Sequence, residues 1–172
     1  MSSLLLPIIV SRRRATPAGV VSRYWRIYIT ATEAAGTGSD YINCALIALH
    51  RVPGDGVNQV PIVGGTTAES SSFGGGYVSN YAWKNTAEDG SFSLGSFWHS
   101  SYQAPPYWAT LDCGSGNSIE ATELVLIGTN IPTRMPKDFE VQISTDGSTW
   151  TTVKSFAGIT GWSATPKVFA LI

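Results

Sequence analysis

Along residues 137–144 apolar and polar positions alternate without a break: Phe139, Val141 and Ile143 fall on one face, Asp138, Glu140, Gln142 and Ser144 on the other. A period of two marks a half-buried antiparallel strand, core on one side and water on the other. Asp146-Gly147 then supplies the left-handed backbone of a tight hairpin turn, and Trp150 to Val153 return in aromatic and β-branched residues. The same period runs through "SRYWRIYITA", with Trp25, Ile27 and Ile29 on one face and Tyr24, Arg26, Tyr28 and Thr30 on the other. "YINCALIALHR" (residues 41–51) is apolar on both faces, which predicts a central, doubly covered strand, with a helix as the alternative.

Between these segments lie breakers. "VPGDGVNQVPIVGG" reads as loop, and the Ser/Gly stretch "TTAESSSFGGGYVS" reads as flexible. From Asn80 to Trp108 aromatic residues crowd together without strand alternation, which predicts a long loop whose rings cannot all be buried. "YWATLDCG" and "ATELVLIGT" read as two further strands separated by the turn-forming "GSGNS", and "GITGWSATPKVFALI" closes the chain with a last short one.

Composition narrows this picture to one all-β domain. The 172 residues, 43% hydrophobic, suffice for one sizeable core, and 13% charged residues are too few to cover two; 18 Gly and 9 Pro leave no long amphipathic run. A net charge of −1 gives no general attraction to phosphate backbones, so no nucleic-acid partner is expected. Cys44 and Cys113 sit in apolar runs without metal-ligand spacing and read as buried free thiols, a disulfide being the alternative. At the N-terminus Arg12-Arg13-Arg14 follows the apolar "LLLPIIV" instead of preceding it, the wrong order for a signal peptide, and the run is too short to span a bilayer. Residues 1–22 are therefore read as an arm that packs on its own domain or docks on another subunit.

Taken in order, "FWHSS", "YWATLDCG", "ELVLIGTN" and "PKDFEVQISTDGSTWTTV" resemble the discoidin-like, or coagulation-factor type C, domains of the galactose-binding-like jelly rolls. The likeness is strongest from Ala87 to Val153. Relatives usually carry the "R-Y-hydrophobic-R" and "I-A-E-I-E-L" strands at the C-terminal end; here "RYWRIYIT" and "YINCALIALHR" come first, an order similar to domains of bacteriophage tail and virion proteins. A jelly roll tolerates such permutation because its first and last strands can be neighbours. With it the resemblance covers Arg23 to Phe169, and the domain is taken as residues 23–172.

The resemblance implies an antiparallel β-sandwich that binds glycans or lipid headgroups through loops at one end, without catalysis. It implies further a virion protein that recognises a cell-surface glycan and meets other tail subunits through the arm, or else a structural virion protein with no ligand. Flat rings and a few placed donors suit sugars, so Tyr81, Trp83, His99, Tyr102 and Tyr107 are the candidate ligand contacts; the alternative is that the aromatic loop folds over its own rings. Trp98 matches the family's core Trp, Trp25, Trp108 and Trp150 are core candidates, and Trp162 is structural. Many relatives hold calcium through the Asp of an "A-x-D-G" loop, here Asp89, and a Glu whose position reads Leu46, so calcium is not expected and Asp89 is its ligand only if the ion is held. His50 and His99 are the only near-neutral bases and neither lies in a nucleophile motif.

Overall fold

The computed structural model describes residues 18–86 and 97–172. Among these described residues twelve strands pair in antiparallel fashion, in a five-stranded sheet, a three-stranded sheet and two short ladders. The strands are β1 (Val20–Ser22), β2 (Tyr24–Thr32), β3 (Asn43–Cys44), β4 (Leu46–His50), β5 (Thr66–Glu69) and β6 (Trp98–His99). They continue as β7 (Tyr107–Asp112), β8 (Ile119–Ala121), β9 (Glu123–Ile127), β10 (Pro136–Ser144), β11 (Thr151–Phe156) and β12 (Lys167–Ala170). The larger sheet runs β11-β10-β2-β7-β5 and the smaller β12-β9-β4.

The alternating patterns build one sandwich core. Trp25, Ile27 and Ile29 of β2, Phe139 and Val141 of β10 and Ala109 and Leu111 of β7 point inward, and meet Ile47, Leu49, Leu124, Leu126 and Phe169 from the smaller sheet. Register fixes this arrangement, because a one-residue slip would turn each inward set to solvent. β2 lies between β10 and β7, with Ile27 opposite Val141 on one side and Ala109 on the other. The early "RYWRIYIT" strand therefore sits among strands of the C-terminal half.

β4 is apolar on both faces for the expected reason, although its place differs. It is a strand and fully buried, but lies at the end of its sheet instead of the centre. Ile47 and Leu49 face the main core, while Leu46 and Ala48 join Ala45, Phe97, Val125 and Ile127 in a second cluster against which Tyr77 packs. The cover is thus side chains and not a further strand.

Four local readings are corrected. The "TTAE" of the stretch read as flexible is β5, held at the sheet edge by pairing with β7. The aromatic segment is not all loop: it contains a short helix, α2 (Ser79–Lys84), while another, α1 (Val60–Val63), interrupts the Gly/Pro loop. The β10–β11 connection is longer than a two-residue turn, since Ile143 pairs with Thr151. Asp146 organises it, accepting N–H bonds from Ser148 and Thr149 (both 2.7 Å), and Gly147 adopts φ 74°. Those bonds, Thr149 first and then Ser148, hold the Asp146 carboxyl well below the usual carboxylate range.

At the N-terminal side, Val20–Ser22 pair with β8, so the end of the segment read as an arm joins the domain; the apolar run itself lies outside the described residues. Cys44 and Cys113 are buried free thiols, and burial pushes them up to about 12 and about 11. Among the described residues no helix is long and apolar enough to cross a membrane.

Candidate functional site

One end of the sandwich gathers the connections that leave β2, β5 and β9 and those that enter β4, β7 and β10. Register places them together: Thr32 pairs with Pro136, Ile29 with Tyr107, and Leu46 with Ile127. Here rings from three separated stretches meet. His99 stacks on Phe73 at 5.0 Å between centroids and lies edge-on to Tyr41 at 5.0 Å and Tyr77 at 5.5 Å. Tyr102 leans on Tyr41 at 5.3 Å, and Phe97 continues the cluster toward the second core beside Tyr77.

Two rings of this cluster face water: Phe73 is 60% and Tyr102 63% exposed. Large apolar rings held in mutual contact at a surface mark an interaction site more than scattered exposed residues do. Polar capacity lies beside them. Asn43 and His99 oppose each other in the β3–β6 ladder, which puts both side chains on the face away from Cys44 and Trp98. Asn43 Oδ1 and His99 Nε2 are buried and have no hydrogen-bond partner among the described residues. Desolvation, and next the charge of Arg134, lowers the His99 pKa, so the imidazole is neutral at neutral pH. The Arg134 guanidinium lies 4.5 Å from the Tyr41 ring centroid and 3.7 Å from Asp40 Oδ1, a cation at the rim of the rings.

Of the residues read from sequence as ligand contacts, this cluster brings together His99 and Tyr102. Tyr81 is exposed on α2 and makes no ring contact with it. Trp83 and Tyr107 are corrected: they are 1% and 0% exposed and belong to the core, so neither presents a ring face outward. Trp83 lies on the buried side of α2, whose six residues are too few for a helical period to be read. Tyr107 could have been placed, because its alternation with Ala109 and Leu111 turns it inward and Trp108 outward. Tyr41 and Phe73 were missed, Phe73 because its Ser/Gly surroundings suggested flexibility. Trp25 and Trp98 are fully buried as expected, and Trp162 is structural, its Nε1 donating to Pro136 O at 2.9 Å. Trp108 and Trp150 are corrected to half-buried rings on the outer face of the larger sheet.

Tyr107 still serves the site from below. Its hydroxyl reaches the carbonyls of Asp40 (2.7 Å) and Gln103 (2.5 Å), two residues that also exchange backbone hydrogen bonds. It thereby ties the stretch carrying Tyr41 to the one carrying Tyr102. Tyr107→Phe is expected to cost about 1–2 kcal/mol in a urea titration, since the hydroxyl's partners are left buried and short of a donor. An unchanged midpoint would contradict this anchoring role.

Of the two positions compared in sequence with a calcium site, Leu46 and Asp89, the structure describes Leu46. Leu46 is 0% exposed and packs among apolar side chains, where its side chain offers no ligand oxygen. Asp89 lies outside the described residues, and no cluster of three or more His, Cys, Asp or Glu forms among those described. A chelator is accordingly expected to leave the melting temperature nearly unchanged, whereas a bound ion would add stability by mass action. A fall of several degrees in EDTA would show that calcium is held elsewhere in the chain.

The model of the F5/8 type C domain matches residues 66–171, from β5 through β12. No curated protein and no solved structure matches the chain. F5/8 type C domains are typically non-catalytic binding modules, and the mostly β architecture agrees with the discoidin-like sandwich. With more than half of its length matched, and with its sheets closed around one core, the chain belongs to the F5/8 type C, or discoidin-like, domain family.

Proposed function

We propose that this domain is a non-catalytic carbohydrate-binding module that engages a cell-surface glycan through the rings at one end of the sandwich. The observation that carries this reading is the exposed pair Phe73 and Tyr102, held by Tyr41 and His99, with the Arg134 guanidinium beside the Tyr41 ring. Pyranose rings present apolar C–H faces and peripheral hydroxyls, and such a surface meets both: stacking from the rings, hydrogen bonds from Arg134 at their rim.

The finer reading is receptor recognition in a phage tail fibre or virion protein, supported by the early position of the "RYWRIYIT" strand and by the apolar arm, which would join other subunits. The competing reading is a structural virion protein in which the same rings bury against a neighbour; their dense mutual packing supports it. An array of glycans that includes bacterial surface polysaccharides separates the two. Discrete binding to a few related glycans is expected, and a chain that binds none of them belongs to the assembly reading.

A further inference from the structure

The outer face of the five-stranded sheet departs from the expectation for an antiparallel sheet with one wet side, which should alternate to polar residues. It carries four large rings. Tyr24 and Tyr28 flank Arg26 on β2, Trp108 stands opposite Tyr28 on β7, and Trp150 arrives from the β10–β11 connection. The middle of the same face is small, with Thr110 on β7 and Thr66 and Ala68 on β5. Walls of rings around a floor of small residues leave a groove of ≈ 370 Å³, a size suited to small-molecule sites.

Cross-strand ring pairs stabilise sheets, and that alone could account for Tyr28 beside Trp108. It does not account for Trp150, which is outside the strands. The connection that carries Trp150 is fixed by Asp146 and lies against the sheet, where a Cβ at Gly147 would sit 3.0 Å from the Tyr24 ring. The Arg26 guanidinium stacks 4.2 Å from the Trp150 ring and 5.1 Å from that of Tyr28. Arg26 Nε donates to Gln142 Oε1 (2.7 Å), and Gln142 Nε2 donates to Glu140 Oε2 (2.7 Å). This relay holds the guanidinium while its two terminal nitrogens have no protein hydrogen bond among the described residues. At the other end Arg23 binds Asp112 through two bonds, 2.7 and 2.9 Å. The two cations are thus matched by two carboxylates, and the groove as a whole is uncharged.

From this geometry we propose that the groove is a second ligand site, taking an uncharged stretch of glycan chain that stacks on Trp108 and Trp150. Arg26 and the Thr66 hydroxyl supply hydrogen bonds to sugar hydroxyls. Charge balance selects a neutral sugar over an acidic one, since an added carboxylate would compete with Glu140 and Asp112. The ligand class rests on the glycan-binding reading above, whereas the position does not. The groove shares no residue with the ring cluster at the sandwich end, so one polysaccharide strand reaching both would be held by effective concentration as well as by contact.

Indole N–H signals in a proton–nitrogen correlation spectrum test this directly. Trp25, Trp83, Trp98 and Trp162 are buried, so Trp108 and Trp150 alone report a ligand in the groove. Titration with array-selected neutral oligosaccharides is expected to shift those two signals, and Phe73→Ala with Tyr102→Ala should leave the shifts in place. Thr110→Phe fills the floor without removing packing, and Trp150→Ala removes a wall; each is expected to weaken this event about tenfold or more. If array-positive glycans leave both indoles unmoved, or if Thr110→Phe binds as tightly as the parent chain, the groove is not a site while glycan binding at the sandwich end stands. A chain that binds no glycan at all overturns both. Groove shifts in a chain whose binding ignores Phe73 and Tyr102 keep this inference and remove the other.

Discussion

Trp25→Ala is expected to cost about 3–5 kcal/mol of folding free energy, the largest single effect of any substitution considered for this domain. Trp25 is 0% exposed, faces the common core from β2 between β10 and β7, and donates its Nε1 to Ser22 O at 3.0 Å. Truncation would empty an indole-sized volume at the middle of the larger sheet and orphan a carbonyl. The close-packed strands on either side can collapse only partly into that space. Trp150→Ala makes the control. That ring is half-buried on the outer face and its main partner is the Arg26 guanidinium, so about 1 kcal/mol is expected. Urea titrations of the two variants at equal m-value measure the difference; losses of similar size would mean that the outer-face ring carries core packing.

The second large effect is on binding. Phe73→Ala and Tyr102→Ala are each expected to weaken glycan affinity by about 1–3 kcal/mol, roughly 5- to 150-fold, because binding energy concentrates on aromatic anchors that lose water on contact. Both rings are more than half exposed in the free domain, so stability should hardly change. The pairing of lost affinity with a preserved melting temperature separates a ligand surface from a folding defect. Unchanged affinity in both variants would remove these rings from the site.

The difference between these two classes of ring shows what the sequence could convey. Alternation placed Trp25 and Phe139 inward correctly, because a strand's period of two is set by local geometry and needs no partner to be read. The same rule, applied strictly from Ala109 and Leu111, assigns Tyr107 to the core and Trp108 to the outer face. Trp150 was harder: its side of the hairpin depends on a connection held by Asp146, which an Asp-Gly turn signal does not describe in full. Trp83 shows another limit, since a helix as short as α2 gives no readable period and its buried side is decided by contact with the core.

The ring cluster itself was legible only in part. His99 and Tyr102 lie in the aromatic-rich stretch and were found there. Tyr41 and Phe73 are 32 residues apart in sequence and reach His99 only because the β3–β6 ladder and the fold of the connection after β5 bring them to one end. No local pattern encodes that meeting. The two unpartnered polar atoms on Asn43 and His99 are likewise a property of the packed state, since hydrogen-bond satisfaction exists only once neighbours are in place.

The central claim, that the rings at one end of the sandwich bind a glycan, is tested most directly by mapping a bound glycan onto ring protons. The chain would be labelled selectively at tyrosine and phenylalanine and titrated with the strongest array-selected ligand. Saturable shifts at Tyr41, Phe73 and Tyr102 are expected, with the buried rings of Tyr107 and Phe139 unmoved. Saturable binding that leaves Tyr41, Phe73 and Tyr102 unchanged would contradict the assignment of the site.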